Sequence, residues 1–110
     1  MTETEKYQVI MTTCPDLELA ERIARELVDR KLGACVQIIP GVQSYFRWQG
    51  KIEKAAEYLV LIKTTVGNYQ DVEKRIKQLH SYELPEIIAL PITAGGRDYL
   101  AWIDDNTKPL

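Results

Sequence analysis

Several features that often reveal a protein's function are missing from this sequence. No apolar run approaches the length of about 20 residues that a membrane helix needs. Glycine-rich phosphate loops, the C-x-x-C pattern and the H-x-x-x-H pattern are absent, and no Ser-His-Asp spacing is legible. Local nucleotide and zinc motifs are therefore not indicated, and any functional site must be assembled by the fold.

Histidine and cysteine are also scarce. The chain has 1 histidine, His80, and 2 cysteines, Cys14 and Cys35, with a predicted helix between the cysteines. A hydrophobic content of 45% over 110 residues is enough for one core, so the chain needs no disulfide framework. We predict a single domain over residues 1–110 with both thiols free, in a reducing compartment.

The charge balance does not favour a nucleic-acid partner. The 14 basic and 16 acidic side chains give a net charge of −2, whereas phosphate binding favours a basic face. Basic residues mostly lie beside acids, as in ERIARE and DVEKRIK, which is typical of solvated helix faces. The N-terminal MTETEKYQ is charged and lacks the apolar stretch of a signal peptide. We therefore expect a cytoplasmic protein with no nucleic-acid or membrane partner.

The first half of the apolar pattern predicts a strand, a helix and a long hairpin. YQVIMTT (residues 7–13) is apolar and β-branched, as in a buried strand. Pro15 and Asp16 favour a helix start directly after it. Apolar residues then recur at helical spacing until Gly33, which is a candidate left-handed C-cap.

The second half completes a recognisable order of elements. A second predicted helix ends near His80, and residues 86–93 read as a strand in which Pro91 marks an edge or a bulge. Residues 98–105 fit a short last helix. The order β-α-β-β-α-β plus a terminal helix indicates an α+β fold of the ferredoxin-like split βαβ type with an antiparallel sheet.

The predicted hairpin over residues 34–65 is too long for a lone domain. Pro40-Gly41 indicates a bend or a bulge, and Gln49-Gly50 a two-residue turn. Fifteen strand residues span about 50 Å, whereas a compact domain of this size is about 34 Å across. The hairpin should overhang its own body, and a second copy of the chain would cover the exposed edges most simply. Tyr45 and Trp48, near the tip, are therefore predicted interface residues.

The topology predicts which candidate site residues can meet. Cys14 and residues 80–83 share one end of the sheet, and the Gln49-Gly50 hairpin starts from that end. Cys35 begins its strand at the opposite end, roughly 20 Å from Cys14. The two thiols therefore cannot bind one ion within one chain.

Individual side chains remain open to more than one interpretation. His80 could be a metal ligand, a general base or a hydrogen-bonded loop anchor, and Glu83 could ligate a metal or orient the imidazole. A carboxylate at a strand start is, however, more often solvated. Cys35 fits a small buried hydrophobe, and Lys63 fits either a snorkelling side chain or one that faces a cleft.

Taken together, the segments of this chain resemble the CutA family, the divalent-cation tolerance proteins. The segments that carry the resemblance are TTCPD (12–16), KLGACVQIIPGVQSYFRWQGKIE (31–53), LIKTT (61–65), HSYELPEIIALPI (80–92) and DYLAWI (98–103). The resemblance covers nearly the whole chain as a single CutA-like domain. It implies a homotrimer in which hairpins extend neighbouring sheets, kinship in architecture with PII signalling proteins, and a link to copper and other divalent cations.

The family pattern also maps onto residues expected near clefts between subunits, which are Cys35, Trp48, Lys63, His80, Tyr82, Glu83 and Pro85. Ser81 departs from the proline usual in that position, which loosens the loop and leaves its polar groups. Cys14 stands where the family often has another small residue, so no metal site is based on it.

The resemblance leads to one main hypothesis with two rivals. The main one is a trimeric, non-enzymatic, CutA-like binding protein with a weakly bound divalent metal, copper being favoured. Its predicted ligands are His80, Glu83 and Cys35, and its predicted ligand cleft contains Lys63, Tyr82 and Trp48. The first rival is a PII-like small-molecule sensor or adaptor that binds an anionic metabolite through Lys63 and backbone N–H groups of the loops. An enzyme with His80 as general base ranks last, because no nucleophile or cofactor motif accompanies it.

Overall fold

The computed structural model describes residues 6–108, which form one antiparallel sheet packed against helices. The elements in chain order are β1 (Tyr7–Cys14), α1 (Leu17–Asp29), β2 (Cys35–Trp48), β3 (Lys51–Thr65), a 3-10 turn (Val66–Asn68), α2 (Tyr69–Leu79), β4 (Ile88–Pro91) and α3 (Arg97–Asp105). The strand order is β2-β3-β1-β4, and every pair is antiparallel. The predicted split βαβ fold is confirmed, and no helix within residues 6–108 is long and apolar enough to cross a membrane.

The first helix begins where the sequence predicts and ends in a different way. Asp16 is the N-cap, because its Oδ1 accepts a hydrogen bond of 2.8 Å from the Leu19 N–H. The left-handed residue after the helix is Lys31, with φ of 59°, and not Gly33. Gly33 is needed for space instead, since a Cβ there would lie 2.9 Å from Cγ2 of Ile62.

The long strand β3 has two parts with different neighbours. Its second part, from Tyr58 to Thr65, pairs with β1 on one side, from Cys14↔Tyr58 to Tyr7↔Thr65. Residues 51–57 pair with β2 alone. Seven residues at about 3.3 Å each make an overhang of roughly 23 Å. The described residues measure 44 × 26 × 23 Å, so the predicted projection of the hairpin beyond the body is confirmed.

Two backbone irregularities shape this hairpin. Three steps along β2, from Ile39 to Val42, oppose two steps along β3, and Gly41 in this bulge has φ of 82°. The tip is a two-residue turn in which Gln49 (φ 51°) and Gly50 (φ 80°) are both left-handed. The bulge and the turn both fall where the sequence predicts them.

The main core lies between one face of the sheet and the two long helices. Its fully buried members come from β1, α1, β3 and α2, and they are Ile10, Cys14, Ala20, Ile23, Leu27, Val60, Ile62, Val72 and Ile76. Tyr7 is three residues from Ile10 and so faces the other side of the sheet. There it packs with Leu100 and Ile103 of α3 in a second, smaller cluster.

We expect Gly33→Ala to destabilise the fold by about 1–3 kcal/mol, because the new methyl group would overlap a fully buried isoleucine. Gly67→Ala is the matched control, since Gly67 is exposed and a Cβ there meets nothing within 4 Å. The control should change stability by less than about 0.5 kcal/mol. Urea unfolding of both variants checks this, and equal midpoints would contradict the packing role of Gly33.

Candidate functional site

The only imidazole of the chain holds the loop between α2 and β4 against the end of β1. Nε2 of His80 lies 2.7 Å from the carbonyl oxygen of Thr13, and Nδ1 accepts a hydrogen bond of 3.0 Å from the Tyr82 N–H. This pattern assigns a neutral ring in which Nε2 carries the proton and donates it to the carbonyl. Both ring nitrogens are therefore occupied, which supports the loop-anchor interpretation.

Cys14 lies beside this histidine and is fully buried. Its Sγ is 3.9 Å from Nε2 of His80, so the end of β1 and the loop after α2 do share one end of the sheet. Burial, followed by the negative charges of Asp16 and Glu57, raises the pKa of the Cys14 thiol to about 11. The thiol is therefore protonated at neutral pH, which fits a structural thiol better than a nucleophile or a ready metal ligand.

A buried carboxylate, Glu57, joins the loop to the hairpin. It is only 7% exposed, although it lies on β3 one residue beyond the last pair with β1. The Ser44 hydroxyl donates to Oε1 at 2.6 Å, and the Tyr82 hydroxyl donates to Oε2 at 2.7 Å. Burial, then the hydrogen bond to Glu57 and the charge of Glu57, raise the pKa of Tyr82 above its usual value. Tyr82 therefore stays a donor, and Glu57 fixes its ring.

These side chains border a cleft of about 730 Å³ between the overhanging hairpin and the loop. Its wall on the hairpin side is aromatic, with Tyr45, Phe46 and Trp48 contributing, and its other wall is the loop with Leu84 and Pro85. The lining residues are Thr13, residues 44–48, Glu57 and residues 82–86. We call this space the hairpin cleft.

The structure gathers only some of the predicted site residues. Tyr45, Trp48, Tyr82 and Glu83 line the hairpin cleft, and the ring of His80 lies 4.9 Å from that of Tyr82 between centroids. Within residues 6–108, no group of three or more His, Cys, Asp or Glu side chains is placed to hold a metal ion. The predicted metal ligands are therefore not gathered into one site by the part of a single chain that the structure describes.

Cys35 and Lys63 lie together at the other end of the sheet. They are direct partners across β2 and β3, and Lys63 is five positions along β3 from Tyr58, the partner of Cys14. That separation is about 16 Å, in agreement with the predicted distance between the thiols. The grouping of Lys63 with Tyr82 and Trp48, and of Cys35 with His80, is not realised within one chain.

Sequence reasoning did not find Glu57. A signal was present, because Glu57 is the only charged residue in the apolar stretch AAEYLVLI of β3. When the residues beside a carboxylate in a strand are buried, the carboxylate either reaches solvent or binds a specific hydroxyl group or cation. The choice depends on the bulge, which aims Ser44 at Glu57, and on Tyr82, which is 25 residues away along the chain.

Comparison with known proteins connects the chain to one family. The model of that family, described as CutA1 divalent ion tolerance protein, matches residues 8–106. The chain is 46% identical over 100 residues to the divalent-cation tolerance protein CutA of Thermus thermophilus, which covers 91% of this chain and 97% of that protein. A solved structure of the Thermus thermophilus protein has a TM-score of 0.91 at 45% identity and covers 93% of this chain and 99% of that one.

A second solved structure agrees with the first. It is described as the periplasmic divalent cation tolerance protein CutA from Archaeoglobus fulgidus, and it has a TM-score of 0.90 at 43% identity, covering 93% of this chain and 99% of that one. The similarity extends over the strands, the helices and the overhanging hairpin together, since both comparisons span almost the whole chain.

The raised pKa of Cys14 predicts a loss of stability at alkaline pH. The thiol titrates at 9.0 when unperturbed and at about 11 in the folded chain, so the unfolded chain releases its proton first as the pH rises. The stability that the protonated thiol contributes is complete below pH 9 and is lost as the pH approaches 11. Urea unfolding at pH 8 and pH 10.5 should therefore show a smaller drop for Cys14→Ser than for the unmodified protein. Equal drops would contradict the assignment.

Proposed function

This chain belongs to the CutA1 divalent ion tolerance protein family, and on that premise we propose that it is a homotrimer that weakly binds copper or a similar divalent cation and acts in cation tolerance. The observation that carries the proposal is the pair of exposed strand edges together with the unsupported half of the hairpin. Binding by an assembly, and not by a single chain, agrees with the incomplete set of metal ligands in one chain.

Exposed apolar surface on the hairpin and on β4 favours self-association. The hairpin exposes Tyr45 (67%) and Ile52 (72%) as well as Trp48 (43%). All four residues of β4 are exposed, among them Ile88 and Leu90. Exposed apolar edge strands favour pairing with another chain, so these surfaces support an obligate assembly.

The positions of the two edges favour a closed ring. β2 and β4 are the opposite edges of one sheet. The β2 edge of one copy can therefore pair with the β4 edge of the next copy. Such head-to-tail contacts close into a ring when the rotation between copies fits. The number three comes from the family resemblance, and the overhang of roughly 23 Å is long enough to reach a neighbouring sheet.

The metal part of the proposal rests on what a neighbour could add. The unprotonated nitrogen of His80, Nδ1, already accepts a hydrogen bond from the Tyr82 N–H. An ion that binds there would have to replace this hydrogen bond, which is worth about 1 kcal/mol. Glu83 is exposed nearby, and Cys35 lies at the far end of its own strand. A thiolate from a neighbouring copy would favour Cu(I), whereas imidazole and carboxylate suit Cu(II). Competition with the loop anchor makes weak binding the expected outcome.

The location and the absence of catalysis are parts of the same proposal. The free thiols of Cys14 and Cys35 support a reducing compartment such as the cytoplasm, although the Archaeoglobus fulgidus relative is described as periplasmic. The engagement of both nitrogens of His80 by backbone groups supports a binding role over general-base catalysis.

One observation favours the rival function, a sensor of a small anion. Nζ of Lys63 lies 5.6 Å from the ring centroid of Tyr99, and no salt bridge to Lys63 is present among the described residues. A lysine without an acidic partner is available for an anionic ligand. Parallel calorimetric titrations with Cu(II) and with nucleotides separate the two functions, because each predicts heat from only one of the ligands.

The assembly has a direct test. Light scattering at micromolar concentration should give a mass near three times 12.6 kDa. Trp48→Ala should raise the protein concentration at which half of the trimer dissociates by about tenfold or more, because large aromatic side chains often dominate an interface. Trp102→Ala is the matched control, because Trp102 has a similar exposure but lies on α3. A clean monomer, or equal effects of both variants, would contradict the hairpin interface.

Copper binding has its own variants. His80→Ala should abolish Cu(II) binding in calorimetry while light scattering still shows the trimer, because the imidazole is the only nitrogen ligand that the loop offers. Ser81→Ala, at the exposed neighbouring position, is the control and should bind as before. Unchanged binding in His80→Ala would mean that His80 only anchors the loop and that any metal lies elsewhere.

A further inference from the structure

The hairpin cleft has the size and the lining of a small-molecule site. Its volume of about 730 Å³ falls within the range of roughly 300–1,000 Å³ that is typical of ligand pockets. Most of its lining surface is apolar, and three of its polar side chains, Ser44, Glu57 and Tyr82, are held in place by hydrogen bonds. A single metal ion would leave most of this volume and the aromatic surface unused.

The buried carboxylate at the base of the cleft has hydrogen bonds but no counter-charge. Its two partners, the hydroxyls of Ser44 and Tyr82, are neutral donors. Among residues 6–108, no lysine or arginine forms a salt bridge with Glu57. A buried charge is costly unless an opposite charge accompanies it, so Glu57 attracts a cation into the cleft.

The hydrogen bonds of Glu57 leave room for such a cation. Each carboxylate oxygen has two lone-pair sites and accepts one hydroxyl, so one site on each oxygen can still accept an N–H donor. An ammonium group carries several such donors on one positive centre. The carboxylate is therefore oriented by the protein and remains able to bind a ligand.

The rest of the cleft strengthens the preference for positive charge. Glu83 and Glu86 lie on its loop side, and Arg47 is the only basic residue in the lining. Phe46 and Trp48 lie on the same face of β2 as Ser44, and aromatic rings attract cations as well as apolar groups.

We propose that the hairpin cleft binds a small organic cation, an amine with an apolar body, whose ammonium group hydrogen-bonds to Glu57 and whose body packs against the aromatic wall. The proposal needs neither His80 nor Cys35, and of the predicted metal ligands only Glu83 lines the cleft. It also differs from the anion-sensor function, since Lys63 lies six positions along β3 from Glu57.

Paired probes test the charge requirement on the assembled protein. 2-Phenylethylamine carries the ammonium group and an aromatic body, and 2-phenylethanol is its neutral counterpart of similar size. Fluorescence of Trp48, followed in a Trp102→Phe background, and calorimetry with a chelator present should both report binding of the amine. We expect the alcohol to bind at least about tenfold more weakly than the amine, since a charge-assisted hydrogen bond is lost. Equal binding of the two probes would overturn the proposal.

Two variants test whether the Glu57 carboxylate is the group that binds the ammonium. Glu57→Gln keeps the shape of the side chain and should weaken amine binding by roughly 10- to 100-fold, with little effect on the alcohol. Glu53→Gln is the matched control on the same strand, because Glu53 is exposed and does not line the cleft, and it should weaken binding less than about threefold because solvent screens that charge. Equal effects of the two variants would contradict a specific role for Glu57.

Two outcomes concern the neighbouring copy and the fold. If a basic side chain of another copy fills the cleft, the trimer will bind neither probe, and Glu57→Gln will weaken assembly; that result overturns the proposal. If Glu57→Gln does not fold, a crystal of the unmodified protein soaked in the amine decides. The nitrogen should then lie within hydrogen-bond distance of a Glu57 carboxylate oxygen, and density elsewhere would refute the site.

Discussion

The structure depends on the pairing of one long strand, β3, with two partners of unequal length. Where β1 accompanies it, from Tyr58 to Thr65, β3 is central and contributes Val60 and Ile62 to the core. Where β1 has ended, the same strand continues with β2 alone and leaves the body of the protein. Three features follow from this difference in length. The core lies where β3 pairs with both β1 and β2, and the exposed edges lie beside that region. The hairpin cleft lies beyond it, where β3 pairs with β2 alone.

Glu57 marks the boundary between these two regions. It is the first residue of β3 beyond the end of β1, and the space that β1 leaves is filled by the loop that carries His80 and Tyr82. The imidazole holds the start of the loop against the Thr13 carbonyl, and the Tyr82 hydroxyl joins the loop to the hairpin through Glu57. The single histidine therefore acts first on structure, and its effect on the cleft passes through the position of Tyr82.

Local sequence patterns predicted the elements well and the contacts between them only in part. Pro40-Gly41 and Gln49-Gly50 have few backbone options, so the bulge and the turn could be placed from residue type alone. Gly33 could not be interpreted in this way, because its role depends on Ile62, which lies 29 positions later, and the left-handed position fell to Lys31. Glu57 was missed for the same reason, since Ser44 and Tyr82 meet it only after the sheet and the loop have formed. The fold class therefore follows from periodicity, whereas the site requires distances that periodicity does not contain.

The hairpin also has a consequence for the order of folding. β2 and β3 are joined by a two-residue turn, so closing this pair needs only a short loop, and hairpins of this kind form within about 1–10 μs. β1 must find β3 across a much longer loop, with Cys14 and Tyr58 separated by more than forty residues, and such pairing carries a larger entropic cost. We therefore expect the hairpin to precede the rest of the sheet and to present its aromatic tip while the chain is still incomplete.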